Sequence, residues 1–179
     1  MTRPLTSAQR QQLRTPANLW RALIPLLVIV ALLVIFTWPR GQHADGIHVI
    51  DTSGAIATAK QQAGFAVTAP VGLSDRWRPT STNFRPAAPT SGASFRIGFV
   101  TPSGQYAEFY EGDDAPDVVA AQYGTLVPFG SVPVNSESWP EFRTGDGHRL
   151  LRRTVGKVTT IVTGTASAAE LTELAASLR

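Results

Sequence analysis

The chain has 179 residues, of which 16 are Lys or Arg and 13 are Asp or Glu, and it has no cysteine. Without cysteine there can be no disulfide, thiol nucleophile or Cys-based metal site. The net charge of +3 is unevenly divided: residues 1–40 hold five arginines and no acid, while residues 41–179 hold eleven basic and thirteen acidic side chains. The high pI therefore belongs to the N-terminal tail, and no net positive field marks residues 41–179 as a nucleic-acid binder.

The first element is "WRALIPLLVIVALLVIFTWPR", Trp20 to Arg40, with no charge between Ala22 and Trp38. At about 1.5 Å per residue those seventeen residues cover roughly 25 Å, the short end of a membrane span. Trp20 and Trp38 fall where an aromatic belt would lie, and Arg21 and Arg40 can snorkel to the headgroups. A buried core helix would need a larger protein around it. A cleaved signal peptide would have a shorter apolar run and a small-x-small site, whereas this run ends in Thr37-Trp38-Pro39-Arg40. The reading is an uncleaved, single-pass signal anchor. Arg3, Arg10, Arg14 and Arg21 precede it, so the N-terminus is expected in the cytoplasm and the C-terminal domain outside the plasma membrane. The expected organisation is a basic tail over 1–21, a transmembrane helix over 22–39 that contacts the bilayer, a stalk over 40–50 and an extracytoplasmic domain over 51–179.

In that domain, "DTSGAIATAKQQAG" predicts a first helix, with Asp51, Thr52 and Ser53 as capping choices and Gly64 as its end. "FAVTAP" alternates like a short strand, and a turn then leads to Trp77 and a further strand. "FRPAAPTSGAS" is a loop rich in Pro, Ser and Gly. "FRIGFV", the turn "TPSG" and "QYAEFYEG" form a hairpin. In "DDAPDVVAAQYG" a helix is expected, capped by Asp113 or Asp114, with Pro116 in its first turn and Gly124 at its end. "TLVPFGSVPVNSES" reads as a connecting stretch. "HRLLRRTV" and "VTTIVTG" form a second hairpin around Gly156-Lys157. "SAAELTELAASLR" is the clearest helix: Ser167 and Glu170 form a capping box, and Leu171, Leu174, Ala175 and Leu178 line one face. Trp77 and Trp139 each lead a similar series. The expected fold class is therefore α+β: an antiparallel sheet built from two ββα-like units, with the helices on one face.

The sequence carries no nucleophile elbow, phosphate loop or HExxH motif. Ser103, His148 and Asp146 are the residues a hydrolase would have to converge. His43, Asp45, His48 and Asp51 are of metal-binding types but read as a polar stalk. Glu111, Asp113, Asp114 and Asp117 lack the alternate spacing of a Ca²⁺ loop and read as helix capping. Arg143, Arg149, Arg152 and Arg153 cluster, but Arg152 and Arg153 must point to opposite faces of a strand. Trp77, Trp139, Tyr106 and Tyr110 line either a cleft or the core, with the core favoured.

"GLSDRWRPTS", "FRIGFVTPSGQYAEFYEG", Ser138-Trp139 and "TTIVTGTASAAELTELAASL" resemble an actinobacterial family of single-pass membrane proteins, the domain of unknown function 4245. "TPSGQY" and "VTG.AS..EL" are its most specific pieces, and Ser74-Asp75-Arg76-Trp77 departs from the family's usual "GLP.GW". The resemblance implies an anchored extracytoplasmic domain in the cell envelope and carries over no catalytic residue.

The functional expectation is a non-enzymatic envelope binding module, with no catalytic, metal or cofactor residue, whose partner is an envelope protein or lipid. Its contact surface is expected on the sheet face opposite the helices or on the "FRPAAPTSGAS" loop. The alternatives are a lipid-handling or signal-sensing ectodomain, which would need a deep apolar cavity, and, further off, an envelope hydrolase.

Overall fold

The computed structural model describes residues 48–179 and the single position Ile24. The tail, the span over 22–39 and most of the stalk lie outside the described residues. Among the described residues no helix is long and apolar enough to cross a membrane.

The elements run α1 (Ser53–Gln62), β1 (Arg78–Arg85), β2 (Ser94–Val100), β3 (Tyr106–Gly112), α2 (Pro116–Tyr123), β4 (Val127–Val134), β5 (Glu137–Arg143), β6 (Arg149–Val155), β7 (Val158–Gly164) and α3 (Ala168–Ser177). The seven strands form one antiparallel sheet in the order β1-β2-β3-β7-β6-β5-β4. The fold is α+β, as the sequence predicts.

The helices do not share one face. Phe95, Ile97, Phe99, Phe109, Val162 and Leu151 point to the side covered by α1 and α3. Tyr110, Ile161 and Leu150 point to the other side and meet Val119 of α2. The central strands are thus buried on both faces, and such a sheet needs a layer on each side. Apolar residues sit in adjacent pairs at Phe109-Tyr110, Leu150-Leu151 and Ile161-Val162. Strict alternation would have left one face wet.

The two predicted units are also larger than ββα. The first has three strands (β1–β3) before α2 and the second four (β4–β7) before α3, because β4 is a strand where the sequence suggested only a connection. Pro128 and Pro133 obscure it. They are tolerated because β4 is an edge strand, where a missing N–H breaks no ladder bond. "FAVTAP" forms no long strand. Ala69 instead exchanges backbone bonds with Arg179 (2.9 and 3.1 Å), and Val71 donates to Ser177, which closes the C-terminus over the core.

The larger core lies under α1 and α3. Leu171 and Leu174 are essentially inaccessible, Ala59 and Ala63 pack from α1, and Phe95 meets Phe109 edge-on at 6.2 Å. Trp77 meets Phe99 edge-on at 6.0 Å, and its indole N–H donates to Glu173 at 3.2 Å.

Candidate functional site

The residues with the chemistry of a hydrolase are not brought together. Ser103 sits in the β2–β3 turn, where its backbone N–H and hydroxyl both donate to Glu170 (3.1 and 3.0 Å). Glu170 also accepts from the Ser167 backbone N–H and hydroxyl, completing the capping box of α3. Burial pushes the Glu170 carboxyl upward, but hydrogen bonds from Ser103, Thr101 and Ser167 outweigh it and hold the carboxyl down at about 2. His148 lies 3.5 Å from Asp146, in a recess of about 240 Å³ that Ser103 does not line. In the same recess Tyr123 and Tyr106 donate to the two oxygens of Glu108 (2.9 and 3.1 Å). Burial and the Glu108 charge push Tyr106 up to about 12 and push Tyr123 up as well, so both phenols keep their protons at neutral pH.

Trp77, Trp139 and Tyr110 are buried, as core residues should be, whereas Tyr106 is 41% exposed. Arg152 and Arg153 do take opposite faces: Arg152 stacks on Phe142, while Arg153 lies over Trp139. Asp51 accepts from the Ser53 backbone and hydroxyl, and His48 is exposed. His43 and Asp45 lie outside the described residues. Among the described residues no group of three His, Cys, Asp or Glu is placed to hold a metal ion.

Two further recesses have charged side chains in their walls. One, of about 290 Å³, lies between the end of α3 and the sheet, with Thr68, Thr160, Trp139, Arg153 and Glu137 in its walls. Its polar groups already satisfy one another. Arg153 grips Glu137 through Nε (2.6 Å) and Nη2 (2.8 Å), a two-pronged pair. Beneath it Glu111 is buried and accepts from the Thr68 N–H (2.7 Å), the Thr68 hydroxyl (2.9 Å) and the Thr160 hydroxyl (3.2 Å). Burial pushes the Glu111 carboxyl above its ordinary value, against the pull of those bonds and of the Arg153 charge.

The second recess is a cleft of about 560 Å³. One wall is the predicted loop, residues 86–93, where Ala88 and Ser91 exchange backbone bonds (2.9 and 3.1 Å) in a tight turn. Gly92 brings that loop onto the entry to α2. A Cβ there would lie 2.5 Å from the Asp113 carbonyl, so only glycine fits without a shift. Asp113 then accepts from the Ala93 N–H at 2.7 Å. The opposite wall is the β6–β7 turn with Gly156 and Lys157.

Asp113 and Asp114 do not cap α2. The N-cap is Ala115, with no side-chain capping bond, and Pro116 opens the helix. A proline at the first position already lacks one of the N–H groups a cap would serve, which releases both carboxylates to face elsewhere. Asp114 turns inward with a side chain only 2% exposed. Its Oδ2 takes the Arg85 guanidinium at 2.5 Å and the Tyr110 hydroxyl at 3.0 Å. Its Oδ1 is buried and has no hydrogen-bond partner among the described residues. The pair "DD" before Ala-Pro was the available sequence signal, since one helix end needs at most one capping carboxylate.

The fold and its recesses define a three-layer α+β domain with a loop-built, acid-lined cleft. A family model described as a protein of unknown function (DUF4245) matches residues 11–178, and the chain belongs to that family. No curated protein and no solved structure matches it significantly.

Proposed function

We propose that this protein is a membrane-anchored, extracytoplasmic binding module of the cell envelope, and that its ligand seats in the cleft between residues 86–93 and the Gly156-Lys157 turn. The anchor and orientation rest on the apolar run over 22–39 and the five arginines that precede or flank it. One observation carries the assignment of the cleft. Asp114 is one of its lining residues, and its buried carboxylate oxygen Oδ1 has no hydrogen-bond partner among the described residues. Leaving such a group unpaired costs about 1–3 kcal/mol, so a buried orphan oxygen marks a place where a further group, a functional role or a trapped water has to account for it.

Binding rather than turnover is the reading because the nucleophile and base candidates serve structural roles. Ser103 ties the β2–β3 turn to α3, and the two phenols beside His148 are bonded to Glu108. The test is hydrogen exchange on the full chain, in native membranes and after purification into lipid nanodiscs. An occupied cleft predicts slower exchange at residues 88–92 and 155–158 in native membranes. Identical exchange at both segments would refute the reading.

A further inference from the structure

We infer that a separate groove, between β5 and β6, takes the C-terminal tail of a partner protein as an added strand, with the terminal carboxylate on Arg152. The two strands separate inside the sheet. β5 pairs with β6 only from Glu141–Leu151 to Arg143–Arg149, yet β5 begins at Glu137 and β6 runs on to Val155. The break falls at Pro140, which has no N–H to offer Arg152 across the gap. A groove of about 560 Å³ occupies the opening. Side chains of both sheet faces line it, Glu137, Ser138 and Pro140 from β5 and Arg152, Arg153 and Thr154 from β6, so it lies between the strands. It shares only Thr154 with the cleft beside residues 86–93, so neither site depends on the other.

The backbone along the groove is that of a free sheet edge. The Gly156-Lys157 turn has two residues, so Val155 and Val158 exchange bonds, and the alternate residues Thr154 and Arg152 turn their N–H and C=O groups toward β5. The two-residue Asn135-Ser136 turn likewise points Ser138 toward β6. The Thr144 N–H donates to the His148 carbonyl at 3.0 Å, in keeping with the same alternation. An extended chain satisfies such groups by strand addition. The outer edge of β4 is closed to it, because the alternation points Pro128 and Pro133 outward, where they supply no donor. The groove is blind where Glu141 and Leu151 pair and open toward the two turns, so a chain that enters it ends beside Arg152. A cation at the blind end selects a terminal carboxylate over a terminal ammonium. The Arg152 guanidinium lies 4.4 Å from the Phe142 ring centroid, which sets its plane for a two-pronged grip. It joins none of the ion pairs among the described residues, whereas Arg149 and Arg153 are held by Glu141 and Glu137. The Arg153–Glu137 pair bridges the α3 side of the groove and forms its floor. At about 3.3 Å per residue, Arg152 to Val155 spans about 10 Å, the reach of three extended residues running antiparallel to β6. This chain's own C-terminus is excluded as the occupant, because Arg179 and Ala69 exchange backbone bonds (2.9 and 3.1 Å).

The test titrates the ¹⁵N-labelled full chain in lipid nanodiscs at one ionic strength. The probes are acetyl-Val-Thr-Val with a free carboxylate, its C-terminal amide, the free acid with N-methylated peptide nitrogens, and sodium acetate. The expected result is saturable amide shifts at Ser138, Arg152 and Thr154 with the free acid. The C-terminal amide should bind at least about tenfold more weakly, through loss of the charge-assisted pair. The N-methylated acid should weaken as much, because it has no N–H to give the strand edge. Acetate, with no chain to pair, should not saturate in the same range. Arg152→Ala should erase the difference between acid and amide, and Arg152→Lys should restore part of it. Unchanged amide positions along α3 would show that both variants keep the fold. A C-terminal amide that binds as tightly as the acid would overturn the proposal. An N-methylated acid that binds as tightly, or acetate that saturates alike, would reduce the groove to a surface anion contact and overturn it too. So would an absence of saturable shifts with the free acid. None of these outcomes touches residues 88–92, where the exchange experiment reads the other cleft.

Discussion

Glu111 offers a prediction whose sign depends on which of two opposed effects wins. Glu111 is 3% exposed as a residue, and its carboxylate accepts three hydrogen bonds, two of them from Thr68. Those bonds hold the segment after α1 against β3 and β7, so replacement should be felt by the whole domain. Glu111→Ala leaves the Thr68 N–H without its acceptor, and that N–H cannot turn away as the two hydroxyls can. One buried donor left unmet costs about 1–3 kcal/mol, so a total of about 2–4 kcal/mol is expected once lost contacts are added. Glu111→Gln keeps the shape and one acceptor and should cost about 1–2 kcal/mol. The pH dependence of that smaller penalty is the sharper test. Burial raises the folded-state carboxyl above its ordinary 4.5, so the native state keeps this proton to higher pH than the unfolded chain does. The stability gained is complete below about 4.5 and is lost as pH rises through the folded value. Glutamine does not titrate, so the Glu111→Gln penalty should be largest near pH 4.5 and shrink toward neutrality. Urea unfolding of the 41–179 fragment at pH 4.5, 5.5 and 7, followed by the fluorescence of buried Trp77 and Trp139, measures it. A penalty that grows toward pH 7 would show that the three donors outweigh burial and would refute the reasoning.

Other outcomes follow from the same structure. Leu174→Ala removes a fully buried side chain from α3 and should cost about 2–5 kcal/mol, so an unchanged melting temperature would place the α3 stripe outside the core. Ser167→Ala should cost about 1 kcal/mol through loss of the cap, read by the same urea titration. Glu170 behaves oppositely to Glu111. Its folded carboxyl is held at about 2, so the stability it contributes is present above about 4.5 and lost as pH falls toward 2; Glu170→Gln should flatten the acid limb of the stability profile. The 41–179 fragment should show no turnover of ester, peptide or glycan substrates, and a robust activity abolished by His148→Ala would defeat the binding-module reading.

What the sequence made legible was local. The capping box of α3 and both predicted hairpins need only neighbouring residues, and they stand where the pattern puts them. So do the Pro116 start and the Gly124 end of α2, whose glycine takes a φ of 69°. Partnership across the sheet was not legible. Which side α2 would take depends on β3 pairing with β7, and no local signal states that pairing. The doublets Leu150-Leu151 and Ile161-Val162 did hint at burial on two faces. β4 was hidden because two prolines suppress strand propensity, a penalty that an edge position removes. The two most specific family segments turn out to be one joint. Ser103 of "TPSGQY" bonds Glu170 of "VTG.AS..EL", Ala166 donates to the Tyr106 carbonyl at 3.0 Å, and Tyr106 donates to Thr165 at 3.0 Å. Gly164 lies so close to Tyr106 that a Cβ there would collide with backbone, and its φ of 144° disfavours other residues. These segments therefore record architecture. The cleft was half legible: its loop stood out by composition, but the inward turn of Asp114 required the tertiary contacts with Arg85 and Tyr110.

The absence of cysteine makes one measurement especially direct, since any introduced thiol is unique. Thr90→Cys places a thiol in the cleft wall, and Ser131→Cys places one on an exposed stretch of β4 away from the cleft. A membrane-impermeant maleimide is added to intact cells and to the purified chain, and the two labelling rates are compared. An extracytoplasmic module with an occupied cleft predicts that both thiols label from outside, and that Thr90→Cys is slowed relative to Ser131→Cys in cells but not after purification. Labelling only after the cells are permeabilised, or the same rate ratio in both settings, would contradict the account.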